Sequence, residues 1–217
     1  LPALYRKVLE ERPDLESESL ALALAASSTP HKEKAELLLQ GAKHKQAIHR
    51  LAALVALKNV DKQLFNAELI HAINAFPKDA PGEYEVWKFP ELGMAALAIE
   101  STDAKTWEVL EKVSKRSEVG LRIKLIEAVS YPFNETRWRP ERLRFYSAFF
   151  DDTGILDPEA DKRFKHRERT EIRNEAAKEL AEMAEIQIVD DPKRTPEDWA
   201  KLREQVRAAV QRELEKK

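Results

Sequence analysis

Three stretches of this chain repeat one helical instruction: PELGMAALAI (90–99), EVGLRIKLIEAV (118–129) and EIRNEAAKEL (171–180). Each sets an acid near its start, then an aliphatic residue: Leu92, Leu121 or Ile172. Four positions later comes a small or aliphatic residue, Ala96, Leu125 or Ala176, back on the same helix face. A unit of this kind buries its apolar face only against copies of itself, which points to stacked helical hairpins. The second helix of each hairpin then lies between neighbouring layers. There Ala176 and Ala177 permit backbones to approach near the lower end of the roughly 8–10 Å interaxial range. The first two units are 29 residues apart. The third is displaced by 51 residues, stretched by connections at 131–139 and 151–167.

The rest of the chain also reads as helix after helix. A short helix over 3–11 ends before Pro13, and a second covers 15–27. Thr29-Pro30 reads as a helix start, with Thr as N-cap and Pro at the first helical position. That helix runs to Gln40, with Gly41 as its stop. The next, 44–57, places Ile48, Leu51, Ala52 and Val55 on one face. Asp61 opens a helix whose stripe is Phe65, Leu69, Ala72, Ile73 and Phe76. Residues 77–82 read as a loop, and EYEVWKF (83–89) as an extended or short turn segment. The stretch 91–100 is apolar almost all round and predicts a helix buried between layers. Asp103 caps a helix burying Trp107, Leu110 and Val113. The helix at 118–130 buries Leu121, Leu125, Ala128 and Val129. Pro140 starts a helix with Leu143, Tyr146 and Phe150, and 151–167 is a long polar connection. Thr195-Pro196 repeats the Thr-Pro signal before a terminal helix striped by Trp199, Leu202, Val206, Val210 and Leu214.

Ile172-Arg173, Ala176-Ala177 and Leu180 together resemble the second helix of a HEAT repeat. Leu121-Arg122 with Leu125 and Val129 matches less fully, and Leu92-Gly93 with Ala96-Leu97 lacks the arginine. The resemblance covers residues 90–184 and extends in outline to 30–76. It implies an all-α fold: a right-handed α-α superhelix of about four HEAT-like hairpins closed by a C-terminal capping helix. The expected organisation is a single α-solenoid domain over 1–217. N-terminal helices occupy 1–29, hairpin repeats 30–184 with the insertion 151–167, and the capping helix 195–216. In such a family the concave face binds a protein, a peptide or another polymer. Arginines at the positions of Arg122 and Arg173 tie one layer to the next through a carboxylate.

Composition narrows the chemistry. With only 5 glycines, the chain has too few for a glycine-lined nucleotide site. A charged fraction of 35% gives the extensive solvated surface of an elongated helical protein. Net charge is −2, which lends nucleic-acid binding no general support. Without cysteine there is no thiol nucleophile, disulfide or thiolate metal site. The longest apolar run, 20–27, falls far short of a membrane span of ~20 residues. A soluble protein of unassigned compartment is expected, trimmed of a signal or upstream domain because it begins at Leu1 rather than Met.

No two of the five histidines, His31, His44, His49, His71 and His166, stand four apart, so metalloprotease spacing is absent. They read as surface or partly buried side chains, and no metal or cofactor is expected. Asp151-Asp152 and Asp190-Asp191 sit at helix ends and read as capping or solvated pairs. Asn134-Glu135-Thr136 is a glycosylation sequon.

Arg137, Trp138, Arg139, Arg142 and Arg144 form a cluster around an exposed tryptophan. Lys162, Arg163, Lys165, Arg167 and Arg169 extend it as a locally basic zone. Three readings stand side by side. The zone is a solvated loop paired with Glu135, Glu141, Asp161 and Glu168, a partner contact of hot-spot composition, or a nucleic-acid surface. The expected function is a non-catalytic scaffold binding a protein or peptide through the concave face and loop 137–144. Its rivals are a DNA-repair-type module with a basic groove over a buried carboxylate, and an architectural segment of a larger protein. Oligomeric state is not legible.

Overall fold

The computed structural model describes residues 1–11, 17–77, 90–130, 137–187 and 194–215. The readings placed on 78–89, on the sequon at 134–136 and on Asp190-Asp191 lie outside these residues. The described chain is all-α apart from one small two-stranded ribbon, and no described helix is long and apolar enough to cross a membrane. Contacts gather it into two compact units, Leu1–Pro77 with Glu83–Val113, and Lys78–Gly82 with Ser114–Lys217. The division falls within one helix, α7 (Lys105–Arg116).

The first unit contains α1 (Pro2–Glu11), α2 (Glu18–Ala26), α3 (His31–Ala42), α4 (Ala47–Leu57), α5 (Lys62–Asn74) and α6 (Pro90–Ala96). A 3-10 turn over Leu97–Glu100 follows α6. Helix α1 packs on α3 and α3 on α5, while α2 packs on α4 and α4 on α6. Each consecutive pair, α1–α2, α3–α4 and α5–α6, is also in contact. The centre is α4, which touches α2, α3, α5 and α6. It therefore buries His49, Ala52, Ala53, Leu54, Ala56 and Leu57 around most of its circumference. The predicted face of Ile48, Leu51 and Val55 is its less buried side, because neighbours on several sides erase a single stripe.

Close approach also explains Gly41. The residue does not stop α3, which continues to Ala42. A Cβ at Gly41 would lie 2.8 Å from the Ala53 Cβ and would strike the Tyr5 hydroxyl. Burial among these neighbours holds the Tyr5 phenol well above its usual pKa. The Thr29-Pro30 signal is displaced too: the helix begins at His31 without a side-chain cap. The Thr29 hydroxyl instead receives a 2.9 Å hydrogen bond from Ser27. Asp61 caps α5 as predicted, accepting from the Gln63 and Leu64 amides at 3.0 Å each.

The second unit contains α8 (Val119–Ser130), α9 (Arg139–Ser147), α10 (Ile172–Met183) and α11 (Pro196–Glu215). Helix α8 packs on α10 and α9 on α11, and α10 contacts both α9 and α11. Ala176 and Ala177 are fully buried, as are Ile172 and Leu180. The polar connection 151–167 is more ordered than its composition suggests. Strands β1 (Ile155–Leu156) and β2 (Thr170–Glu171) close it as an antiparallel ribbon. The Ile172 amide donates to Gly154 O at 2.9 Å and the Arg173 amide to Asp152 O at 3.1 Å. Those bonds satisfy two of the donors that a helix start leaves open.

Candidate functional site

In the second unit, α10, α11 and the ribbon line a cleft of about 1090 Å³. Two local devices hold its walls. At α11, Thr195 Oγ1 accepts from the Asp198 amide at 3.2 Å, while Asp198 Oδ2 accepts from the Thr195 amide at 3.1 Å. This reciprocal cap, with the Thr195 hydroxyl donating to the same carboxylate, holds Asp198 below the usual carboxylate range. At α10, Arg122 pairs with Asp152 at 2.5 Å, fixing the ribbon's entry to α8. Arg122 thus has a carboxylate partner in the connection that follows α9. Arg173 pairs instead with Glu171, two residues away.

One turn into α11, Trp199 collects cations. The Arg194 guanidinium lies 4.7 Å from the ring centroid and the Lys178 ammonium 5.6 Å. One turn further, Arg203 Nη1 donates to Asn174 Oδ1 at 2.5 Å, and Asn174 is itself buried. Arg203 makes no ion pair among the described residues. Its desolvation, followed by the Arg173 and Arg207 charges, lowers its pKa against the attraction of Glu171, although a guanidinium stays charged. Arg169, exposed at the rim, has no hydrogen bond or ion pair among the described residues.

Three of the other lining cations are paired, Arg173 with Glu171 as above. Lys178 pairs with Glu175 at 3.4 Å, and Arg167 pairs with Glu127 and reaches Glu175 at 4.0 Å. Six cations face four carboxylates around the cleft, so it is basic inside a chain of net charge −2. Beside it on α10, burial and then the Glu182 and Glu175 charges push the Glu179 carboxyl up to about 7, but Glu179 does not line the cleft.

The predicted cluster at 137–144 does not face this cleft, and its members divide. Arg139 pairs with Glu213 of α11, bonds to Met183 O, and is held more firmly protonated by Glu213. Arg142 is buried and donates to Ser130 O at 3.3 Å. Both arginines join helices. Trp138 is half-buried rather than exposed, with the Arg137 guanidinium 5.6 Å from its ring. Arg144 is exposed and lies 3.5 Å from Glu141. In the extended zone, Arg163 is taken by Asp161 and Glu118, whereas Arg167 and Arg169 reach the cleft. Lys178, Arg194 and Arg203 carried no site signal in isolation, and Trp199 read as part of an apolar stripe. The available clue was Trp199 and Arg203, four residues apart on one face of α11.

Elsewhere, Ser17 Oγ and His49 Nδ1 are 2.7 Å apart, a hydroxyl–imidazole pair. Both residues are fully buried, His49 against the surface or partial exposure expected of it. No group of three or more His, Asp or Glu is placed to hold a metal among the described residues. The fold and the cleft thus define an all-α protein with a basic, tryptophan-bearing groove. No protein family, curated protein or solved structure matches the chain.

Proposed function

We propose that the chain is an array of HEAT-like helical hairpins working as a non-catalytic scaffold for a protein or peptide partner. The contact pattern supports the architecture. First helices lie on first helices and second on second, through α1–α3–α5 and α2–α4–α6, and again through α9–α11 and α8–α10. Such stacking is how repeat units bury faces that a lone hairpin leaves open. A right-handed superhelix capped by α11 is the arrangement we assign to it.

One observation carries the binding role: the cleft holds a half-buried arginine, Arg203, with a neutral hydrogen-bond partner and no ion pair among the described residues, the nearby Glu171 charge acting on it without a salt bridge. A partly desolvated charge held without an ion pair costs stability and is suited to an incoming group. The DNA-repair rival calls for a basic groove with a buried carboxylate at its floor. Here the lining carboxylate Glu175 is engaged by Lys178 and approached by Arg167. The pair Arg137–Trp138, with Arg144, forms a secondary contact edge.

Site-specific photo-crosslinking tests the proposal. A photoreactive residue at position 169 is expected to capture a discrete polypeptide in a lysate of the source cells, whereas one at the exposed Lys201 is not. Equal labelling at both positions, or none, removes the cleft as a binding surface.

A further inference from the structure

We propose that the α10–α11 cleft recognises an extended acidic peptide, with one of its carboxylates seated on Arg203; this rests on the scaffold reading above. At about 1090 Å³ the cleft is large for a small-molecule site. Its charges alternate: Glu168, Glu171 and Glu182 stand among the arginines. A nucleic-acid strand carries a phosphate on every nucleotide and would set some of them against these carboxylates. A peptide places carboxylates only where side chains carry them, and its backbone amides donate to glutamates. Ile155, 43% exposed at the cleft, offers an apolar contact for an aliphatic side chain between the acids.

The geometry is prepared for one strong anchor. Asn174 orients the Arg203 guanidinium, and this arginine presents a fork matched to a carboxylate. Arg169 at the rim supplies a second cation without breaking an existing pair among the described residues. Trp199 holds Arg194 and Lys178 over its ring at the same wall. Specificity therefore comes from two available arginines, and the paired charges reject a uniform polyanion.

Fluorescence anisotropy with the full chain tests this. The probes are a short labelled peptide alternating glutamate with glycine around a central leucine, its glutamine counterpart, and a short oligothymidylate. The glutamate peptide is expected to bind and the glutamine peptide to bind at least roughly tenfold more weakly. Arg203→Gln and Arg169→Gln are each expected to weaken the glutamate peptide roughly tenfold, and Arg203→Lys to retain part of the affinity. Arg169 is exposed and engaged in no described contact, so its substitution reports binding even if Arg203→Gln disturbs Asn174. Equal affinity for the two peptides overturns the acidic preference while leaving the scaffold reading intact. Tighter binding of the oligothymidylate through the same arginines replaces the peptide with a nucleic acid. Absence of binding by every probe, with position 169 still capturing a polypeptide, overturns the acidic chemistry alone; an empty crosslink as well removes both readings.

Discussion

Glu179 shows how a single side chain can report on packing. Burial and the neighbouring Glu182 and Glu175 charges raise its carboxyl to about 7, against an ordinary value of 4.5, although Ser130 and Arg142 act in the opposite direction. The folded chain therefore holds a proton that the unfolded chain releases, so this group's contribution is full below about pH 4.5 and lost as pH rises through 7. We expect Glu179→Gln to leave stability unchanged at low pH and to raise it by roughly 3 kcal/mol above neutrality, measured by urea unfolding at acidic and mildly alkaline pH. An equal effect at both would refute the assignment. Gly41 makes a steric counterpart. Gly41→Ala must displace Tyr5 or Ala53 and should cost about 1–3 kcal/mol despite alanine's better helix propensity. Neither effect is legible in the sequence, where Glu179 sits in an ordinary charged run and Gly41 looks like a helix stop. Both depend on neighbours supplied by other helices.

Whole helices were more legible than single contacts. The alanine pair of α10 and the apolar stripes of α5 and α11 follow from periodicity alone, because each packs a definite face. Filling the alanine position should force the layers apart: Ala177→Leu is expected to destabilise by about 1–3 kcal/mol, visible as a lower thermal midpoint. A neutral result would mean that α10 is not tightly clasped. The two Thr-Pro signals part company for a readable reason. Thr195 has Asp198 three residues on to complete a reciprocal cap, whereas Thr29 has Lys32 there. Helix α4 defeated the stripe because it is surrounded, and the polar stretch 151–167 concealed β1, a strand of only two residues. The cleft was half visible. Arg167 and Arg169 belonged to a basic run, but the structure adds Arg203 and Trp199 from another helix and assigns Arg139 and Arg142 to helix joints.

At the scale of the molecule, two compact units each possess their own buried core. Native-state hydrogen exchange should accordingly resolve two sets of protected amides. Gly41→Ala is expected to lower protection chiefly in residues 17–77 and Ala177→Leu chiefly in 119–183; uniform loss from either substitution would show a single cooperative block. Division inside α7 has no counterpart in composition, since cores are defined by who meets whom, not by residue type. The stretch between β1 and β2 has a separate use. Its ends are clasped by Ile155–Glu171 and Leu156–Thr170, while Glu159 and Ala160 form an exposed turn under Asp157. Added chain at that turn would lengthen a loop already closed, costing only about 0.6 kcal/mol per doubling. A foreign epitope or fluorescent tag spliced between Glu159 and Ala160 should thus ride on the folded protein, and related chains are free to differ in length there while keeping every helix in place.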